Sequence, residues 1–188
     1  MAVLIKSLSY AHELIRKVLG PGERAVDATA GNGHDTIFLA RLVEKEGRVW
    51  AFDIQEQAIK RVRERLEKEG LSRRVILLNK GHEEMATYVE GPIGAIMFNL
   101  GYLPGGDHSV VTRPDTTLAA VERGLNLLRP GGLMTLVIYT GHPGGAREGE
   151  AVINYCSSLP QRDYRVLVYR FLNQRNNPPF LLAIEKEG

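Results

Sequence analysis

Short apolar segments alternate with amphipathic helical segments along most of this chain. Arg24 to Ala28 and Arg48 to Ile54 have the residues of buried strands, and a loop and a helical pattern follow each of them. The first of these loops, TAGNGHD, is rich in glycine and leads into an apolar helical segment from Thr36 to Val43. This repeated order is typical of α/β proteins, in which helices connect the parallel strands of a sheet.

The rest of the chain extends this pattern and then changes it. Leu8, Ala11 and Ile15 predict an amphipathic helix before the first strand, and RPGG at 129–132 closes a later helix. Five more strands are predicted, at Val75 to Leu78, Ile93 to Leu100, Leu133 to Tyr139, Arg165 to Leu172 and Phe180 to Glu185. The last two are joined by a segment too short for a crossover helix, so we expect them to pair antiparallel. We therefore predict a doubly wound α/β fold with a mostly parallel seven-stranded sheet and one antiparallel strand.

Composition restricts the classes of protein to which the chain can belong. Its 188 residues are 44% hydrophobic and 24% charged, which is the balance of one globular domain, here residues 1–188. The net charge is only +2, so any contact with nucleic acid has to come from a local basic face. The single Cys156 excludes an internal disulfide, and no segment approaches the length needed to span a membrane. We therefore expect a cytoplasmic protein.

The loops after the first two strands carry the residues of a nucleoside-binding site. In DATAGNGHDT, Gly31 and Gly33 let a ligand approach the backbone, and amides near a helix start can bind a carboxylate or phosphate. Thr36 stands where the dinucleotide fingerprint needs a third glycine, which weighs against a nicotinamide or flavin cofactor. Asp53 ends the second strand, where a carboxylate can accept both hydroxyls of a ribose. Capping of the next helix is the alternative role for Asp53.

Further polar residues at the same edge of the sheet complete the predicted cofactor site. Asp27 interrupts an apolar strand just before the glycine loop, where it can orient loop amides or bind a ligand ammonium. His82 follows the third strand and is expected to line an adenine pocket. The full set of predicted cofactor contacts is Asp27, Gly31, Asn32, Gly33, Asp35, Asp53, Gln55 and His82. The histidines lack the spacing of metal ligands, so no metal site is predicted.

The loop after the fourth strand, NLGYLPGGD, predicts a second functional region. Asn99 ends a buried strand, where its amide needs hydrogen-bonding partners that a ligand amine can supply in part. Tyr102 and Asp107 follow in the same glycine-rich segment and add an aromatic ring and a carboxylate. The alternative for this region is a long turn without function, with Tyr102 packed inward.

Segments spread across nearly the whole chain resemble those of one protein family. They are DATAGNGHDT, AFDIQ, NLGYLPGGD, TTLAA, RPGG, YTGHPGG and NQRNNPPF. On these segments the chain resembles the small bacterial Rossmann-type RNA methyltransferases known as rRNA methylases, and it is similar to the MnmM-type tRNA 5-aminomethyl-2-thiouridine methyltransferases. The resemblance implies a class I methyltransferase fold with S-adenosyl-L-methionine as the methyl donor. It also implies the aminomethyl nitrogen of a wobble uridine in tRNA as the acceptor.

The resemblance assigns roles to residues of the second region. NLGY stands where amino-group methyltransferases of nucleic-acid bases carry an Asn-Pro-Pro-Tyr type motif, so Asn99 is expected to position the acceptor amine. The two prolines are absent, which leaves room for a flexible aminomethyl arm. Asp107 is expected to act as a base or to contact the ammonium, and Tyr102 to stack on the uracil of a tRNA anticodon stem-loop. Contacts to phosphates are expected from Arg113, Arg147 and Arg175.

Two other functions share these cofactor residues. One is methylation of ribosomal RNA or of a small molecule at the same site. The other is a nucleotide-binding module without catalysis, which would have no need of the amine-binding loop. The residues leave open whether the chain forms a homodimer.

Overall fold

The described residues, 3–101 and 111–188 of a computed structural model, form seven strands, six α-helices and two short 3-10 helices. The strands are β1 Arg24–Asp27, β2 Arg48–Phe52, β3 Val75–Leu78, β4 Ile93–Leu100, β5 Leu128–Ile138, β6 Tyr164–Tyr169 and β7 Phe180–Lys186. The helices are α1 Ser7–Val18, α2 His34–Val43, α3 Glu56–Lys68, α4 Met85–Tyr88, α5 Pro114–Leu127 and α6 Gly145–Ser157. None of these helices is long and apolar enough to cross a membrane.

The strands form a mixed sheet in the order β3-β2-β1-β4-β5-β7-β6. All neighbours from β3 to β5 are parallel, whereas β7 pairs antiparallel with both β5 and β6. The predicted seven-stranded sheet with one antiparallel strand is therefore confirmed. The short connection before β7 allows only this direction, because a parallel strand would need a crossover.

Helices cover both faces of this sheet because its central strands are apolar on both sides. On one face α1, α2 and α3 pack against small side chains such as Ala25 and Ala95. On the other face α4, α5 and α6 pack against larger ones such as Phe98 and Met134. Cys156 lies in this second layer with 1% of its surface exposed, and burial raises the pKa of its thiol to about 12. It acts there as a small apolar residue, as predicted.

The segment 129–132 differs from its predicted place. It lies inside β5 rather than in a turn before the strand. The register shows why, since Ile93 pairs with Leu128 but Ala95 pairs with Leu133, which leaves a bulge in β5. Gly131 occupies the bulge with φ +68°, a backbone conformation that glycine adopts without strain. The residues RPGG therefore form part of β5, and the predicted turn before the strand is wrong.

The order of the strands fixes where a ligand site can lie. The chain runs from β1 outward to β2 and β3, and then returns to the other side of β1 as β4. In open parallel sheets, ligands bind at the carboxyl ends of the strands at such a reversal. The loops that follow β1, β2 and β3 converge at this edge, together with the described residues at both ends of the connection after β4, 101 and 111–113.

Candidate active site

A cavity of about 620 Å³ opens at the carboxyl ends of the central strands. Its volume falls within the range of roughly 300–1,000 Å³ that is usual for small-molecule sites. The predicted site residues on its wall are Gly31, Asn32, Asp35, Asp53, Gln55, His82, Asn99 and Arg113. Four predicted residues are not on the wall, namely Asp27, Gly33, Arg147 and Arg175. Tyr102 and Asp107 lie outside the described residues.

Asp27 and Gly33 shape the glycine loop behind the cavity wall, so the structure confirms the predicted orientation of loop amides by Asp27. Direct contacts of Asp27 and Gly33 with a cofactor stay predictions. Asp27 is fully buried, and its carboxylate accepts hydrogen bonds from the Thr29 N–H at 3.1 Å and from the Thr36 hydroxyl at 2.6 Å. Gly33 precedes α2 with φ +80°, and a Cβ at this position would lie 3.1 Å from a methyl carbon of Val62. Thr36, which replaces the third glycine of the dinucleotide fingerprint, therefore anchors Asp27. The sequence pattern indicated only that Thr36 was not glycine.

The environment of Asp27 changes its acidity. Burial raises the pKa of Asp27 to about 7, and the nearby carboxylate of Asp35 acts in the same direction, against the hydrogen bonds from Thr36 and Thr29. Asp27 therefore titrates near neutral pH in the free protein. A cation bound above the loop would favour its ionised form.

Asp53 connects the loops that follow β1 and β2. One carboxylate oxygen accepts a hydrogen bond from the Gly31 N–H at 2.9 Å, and the other accepts one from the Gln55 N–H at 2.8 Å. Each oxygen retains a second lone pair that can accept a hydroxyl. The bond to Gln55 precedes α3, whose N-cap is Gln55 without a side-chain cap hydrogen bond, so the predicted capping role of Asp53 is wrong. Burial raises the pKa of Asp53.

His82 presents a hydrogen-bond acceptor on the cavity wall. Its Nδ1 lies 3.2 Å from the carbonyl oxygen of Ala28, and because a carbonyl only accepts, Nδ1 carries the hydrogen. Burial lowers the pKa of His82, which favours the neutral ring. Its Nε2 is buried and has no hydrogen-bonding partner in the part of the chain that the structure describes. A ligand N–H group would satisfy this atom.

Asn99 lies at the end of β4 with its amide held in one orientation. Its Nδ2 donates a hydrogen bond to Asp35, and its backbone N–H donates to the Thr29 hydroxyl at 2.7 Å. Its Oδ1 is buried and has no partner within residues 3–101 and 111–188. Asp35 also accepts a hydrogen bond from Nε2 of His12 on α1 at 2.6 Å. The amide thus offers an acceptor atom to a ligand.

His12 and Tyr139 are wall or support residues that sequence reasoning did not single out. His12 lies four residues after Leu8, at the edge of the apolar face of α1. This position was the only sign in the sequence that His12 contacts other parts of the fold. Tyr139 follows β5 and lines the cavity with 37% of its surface exposed. The Tyr139 N–H donates a hydrogen bond to the carbonyl oxygen of Leu100 at 3.0 Å, next to Asn99 in β4. Burial raises the pKa of Tyr139, and so does the charge of Asp35. The signal for Tyr139 was its position at the end of a buried strand.

The predicted phosphate contacts lie in different places. Arg113 is exposed on the cavity wall, and Lys80 joins it there. Arg147 is exposed on α6, and Arg175 is exposed in the connection between β6 and β7. The structure therefore brings Arg113 to the cavity but not the other two arginines.

Comparison with known proteins identifies the family of the chain. The model of a family described as "Putative rRNA methylase" matches residues 49–185. A protein of Arabidopsis thaliana named tRNA (mnm(5)s(2)U34)-methyltransferase, chloroplastic, is 36% identical over 193 residues, which cover 97% of this chain and 70% of that protein. The chain belongs to the rRNA methylase family. A tRNA 5-carboxymethoxyuridine methyltransferase of Escherichia coli is 26% identical over 125 aligned residues, which cover 66% of this chain and 43% of that protein.

Solved structures of the rRNA methylase type have the same fold. The crystal structure of an rRNA methylase from Clostridium thermocellum superimposes with a TM-score of 0.96. The match covers 98% of this chain and 100% of the other, and the two sequences are 44% identical. A methyltransferase from Streptococcus mutans, in complex with SAH, is 41% identical over 98% of this chain and 99% of its own, with a TM-score of 0.90. The predicted class I fold and S-adenosylmethionine-dependent methyltransferase class are therefore confirmed.

Proposed function

We propose that this rRNA methylase family member methylates the aminomethyl nitrogen of 5-aminomethyl-(2-thio)uridine at the wobble position of tRNA. The observation that supports this proposal is the orientation of the Asn99 side-chain amide. Because its Nδ2 is bound to Asp35, its Oδ1 is the atom left to accept a hydrogen bond, and an amine can donate one N–H there. The amine nitrogen then keeps its lone pair for attack on the methyl donor. The name of the Arabidopsis relative contains mnm(5)s(2)U34, which is the methylated form of this nucleoside.

The cofactor-facing residues fit S-adenosylmethionine. Asp53 has lone pairs for the ribose hydroxyls, and Nε2 of His82 can accept the N–H of an adenine amino group. Asp27 lies beneath the glycine loop, where its negative charge favours a cationic ligand above it. When bound, S-adenosylmethionine supplies an electrophilic methyl group on a sulfonium. The chain has to orient the acceptor nitrogen and keep it unprotonated, since a free alkylamine has a pKa of about 10.

The charges around Asn99 favour an amine over a carboxylate as acceptor. The E. coli relative is named for 5-carboxymethoxyuridine, a nucleoside that carries a carboxylate instead of an amine. Here Asp35, 4% exposed, lies against the Asn99 amide, and Oδ1 of Asn99 has no hydrogen to donate to a carboxylate. An anionic acceptor would be repelled by Asp35 and would leave Oδ1 without a donor.

An anticodon loop is the expected RNA partner. RNA enzymes of this kind bind a splayed base against an aromatic or peptide surface. The Tyr139 ring on the cavity wall supports this expectation, and we expect Arg113 and Lys80, which line the same cavity, to contact the phosphates of the loop. Stacking by Tyr102, the use of Asp107 as a base, and phosphate contacts by Arg147 and Arg175 stay predictions.

Methyl transfer to defined stem-loops tests the proposal. Three anticodon stem-loops would differ only at the wobble base, which is 5-aminomethyl-2-thiouridine, 2-thiouridine or 5-carboxymethoxyuridine. With labelled S-adenosylmethionine, mass spectrometry should find a new methyl group only on the aminomethyl nucleoside. Asn99→Ala should lose turnover while keeping most of its affinity for S-adenosylhomocysteine. Asn126→Ala, on the exposed side of α5, is the matched control and should retain turnover.

The other outcomes point to the alternative functions. Methylation of an rRNA fragment or of a free amine, without methylation of the aminomethyl stem-loop, would contradict the proposal in favour of another acceptor. Tight binding of S-adenosylhomocysteine without transfer to any RNA or amine would favour a nucleotide-binding module without catalysis.

A further inference from the structure

We propose that Asp35 and His12 are positioning residues that select the orientation of the Asn99 amide, so that helix α1 forms part of the acceptor site. The inference rests on the proposed function in one respect, namely that the acceptor amine binds at Asn99. Asp35 was predicted to bind the cofactor, and the geometry gives it a different role.

A continuous set of hydrogen bonds joins α1 to the end of β4. Nε2 of His12 donates to Oδ1 of Asp35 at 2.6 Å, and the other carboxylate oxygen, Oδ2, accepts from Nδ2 of Asn99. Since a carboxylate only accepts hydrogen bonds, Nε2 of His12 must carry a hydrogen, and the nitrogen of the Asn99 amide must face Asp35. The three residues are 23 and 64 positions apart in the chain, so only the fold brings them together.

The orientation of this amide decides whether the site can hold an attacking amine. With Nδ2 on Asp35, Oδ1 accepts an amine N–H and leaves the amine lone pair free. In the flipped orientation the amide N–H groups would point at the amine and donate to the lone pair that has to attack. A neutral asparagine alone does not choose between these states, whereas the Asp35 carboxylate accepts only the first.

His12 donates a hydrogen bond to the buried carboxylate of Asp35. Asp35 is 4% exposed and lies near the carboxylate of Asp27, so as a carboxylate it requires hydrogen-bond donors on both oxygens. The His12 ring is stacked on Phe38, with ring centroids 4.0 Å apart and planes 9° apart. Asp35 and Phe38 are three residues apart on α2 and therefore share one face of the helix. Stacking on Phe38 thus holds the His12 ring beside Asp35.

A double-mutant cycle tests whether Asp35 acts through Asn99. Asp35→Ala should lower kcat for the aminomethyl stem-loop on the order of 10- to 100-fold, with affinity for S-adenosylhomocysteine within about twofold of wild type. In an Asn99→Ala background the same change should cause no further loss of kcat, because the residue that it positions is absent. An equal fold-loss in both backgrounds would overturn the inference, as would a loss confined to cofactor affinity.

Two further comparisons between variants separate positioning from a purely structural role. The exchange Asp35→Asn/Asn99→Asp keeps an amide donor facing a carboxylate with the roles reversed, and it should recover turnover relative to Asn99→Asp alone. His12→Gln, which retains an N–H donor, should keep more turnover than His12→Leu at equal melting temperature. Glu13→Ala, an exposed neighbour on α1, is the control and should match wild type. No recovery in the exchange, together with equal turnover of the two His12 variants, would contradict the inference.

A measurement without substrate distinguishes this inference from the proposed function. In the free protein, the side-chain amide of Asn99, assigned in NMR spectra by its loss in Asn99→Ala, should show slowed hydrogen exchange. Exchange should become faster in Asp35→Ala and in His12→Leu but not in Glu13→Ala. If the wild type methylates no aminomethyl stem-loop while this pattern holds, the proposed function fails and the orientation stands. Unchanged exchange in Asp35→Ala would refute the orientation itself.

Discussion

Replacement of Asp53 by alanine should weaken S-adenosylhomocysteine binding more than any other single change in the loops after β1 and β2. The carboxylate accepts the Gly31 N–H at 2.9 Å and the Gln55 N–H at 2.8 Å, and it lines the cavity where the ribose is expected. Loss of one hydrogen bond to a charged group costs about 1.5–3 kcal/mol, which corresponds to about a 10- to 150-fold loss of affinity.

The same variant should also destabilise the free protein. Two backbone N–H groups lose their acceptor, and at about 0.5–1.5 kcal/mol each the free energy of unfolding should fall by about 1–3 kcal/mol. Asp53→Asn should lie between wild type and alanine in both measurements. It keeps one acceptor oxygen but turns an NH₂ group toward one of the two backbone donors.

Calorimetry with S-adenosylhomocysteine and urea unfolding measure the two effects separately. Glu56→Ala, an exposed change three residues further along the chain, is the control and should leave both quantities near the wild-type values. A 2′,3′-dideoxy analogue of the ligand isolates the ribose contact, since Asp53→Ala should reduce its affinity much less than that of the parent ligand. Equal reductions for both ligands, or unchanged affinity for the parent, would refute the ribose assignment.

Three further predictions concern the glycine loop and the RNA surface. Burial raises the pKa of Asp27 from its ordinary value of 3.8 to about 7, so folding takes up a proton between about pH 4 and 7, and the stability that this group contributes is lost across that range. Asp27→Asn should flatten this decline in urea unfolding between about pH 4 and 7. Gly33→Ala should lower the free energy of unfolding more than Gly22→Ala. Both glycines have φ +80° and share a backbone cost of about 1–2 kcal/mol, but only at Gly33 would a Cβ lie 3.1 Å from Val62. In a Val62→Ala background the two glycine substitutions should therefore have similar costs. Arg113→Ala should reduce the salt dependence of stem-loop binding by about one unit of slope, and an unchanged slope in filter binding would remove Arg113 from the interface.

The strands and helices could be predicted because their signals are local. Alternating apolar patterns and the glycines at 31 and 33 identified the sheet and its first ligand loop, and the short connection before Phe180 predicted the antiparallel β7. The boundary at 129–132 was wrong because a bulge inside a strand and a turn before it use the same residues. Which of the two forms depends on the pairing of β5 with β4, a contact between distant parts of the chain.

The acceptor site shows most clearly where local signals stop. The residues themselves indicated that Asn99 ends a buried strand and needs hydrogen-bonding partners. They did not show that Asp35 and His12 supply the fixed side of its amide, because those contacts span three elements that are separated in sequence. Side-chain type limits which hydrogen bonds a residue can make, and this much is readable from the chain alone. The choice among those bonds belongs to the packing of α1, α2 and β4, since it is the packing that sets which donors lie within 3 Å of which acceptors.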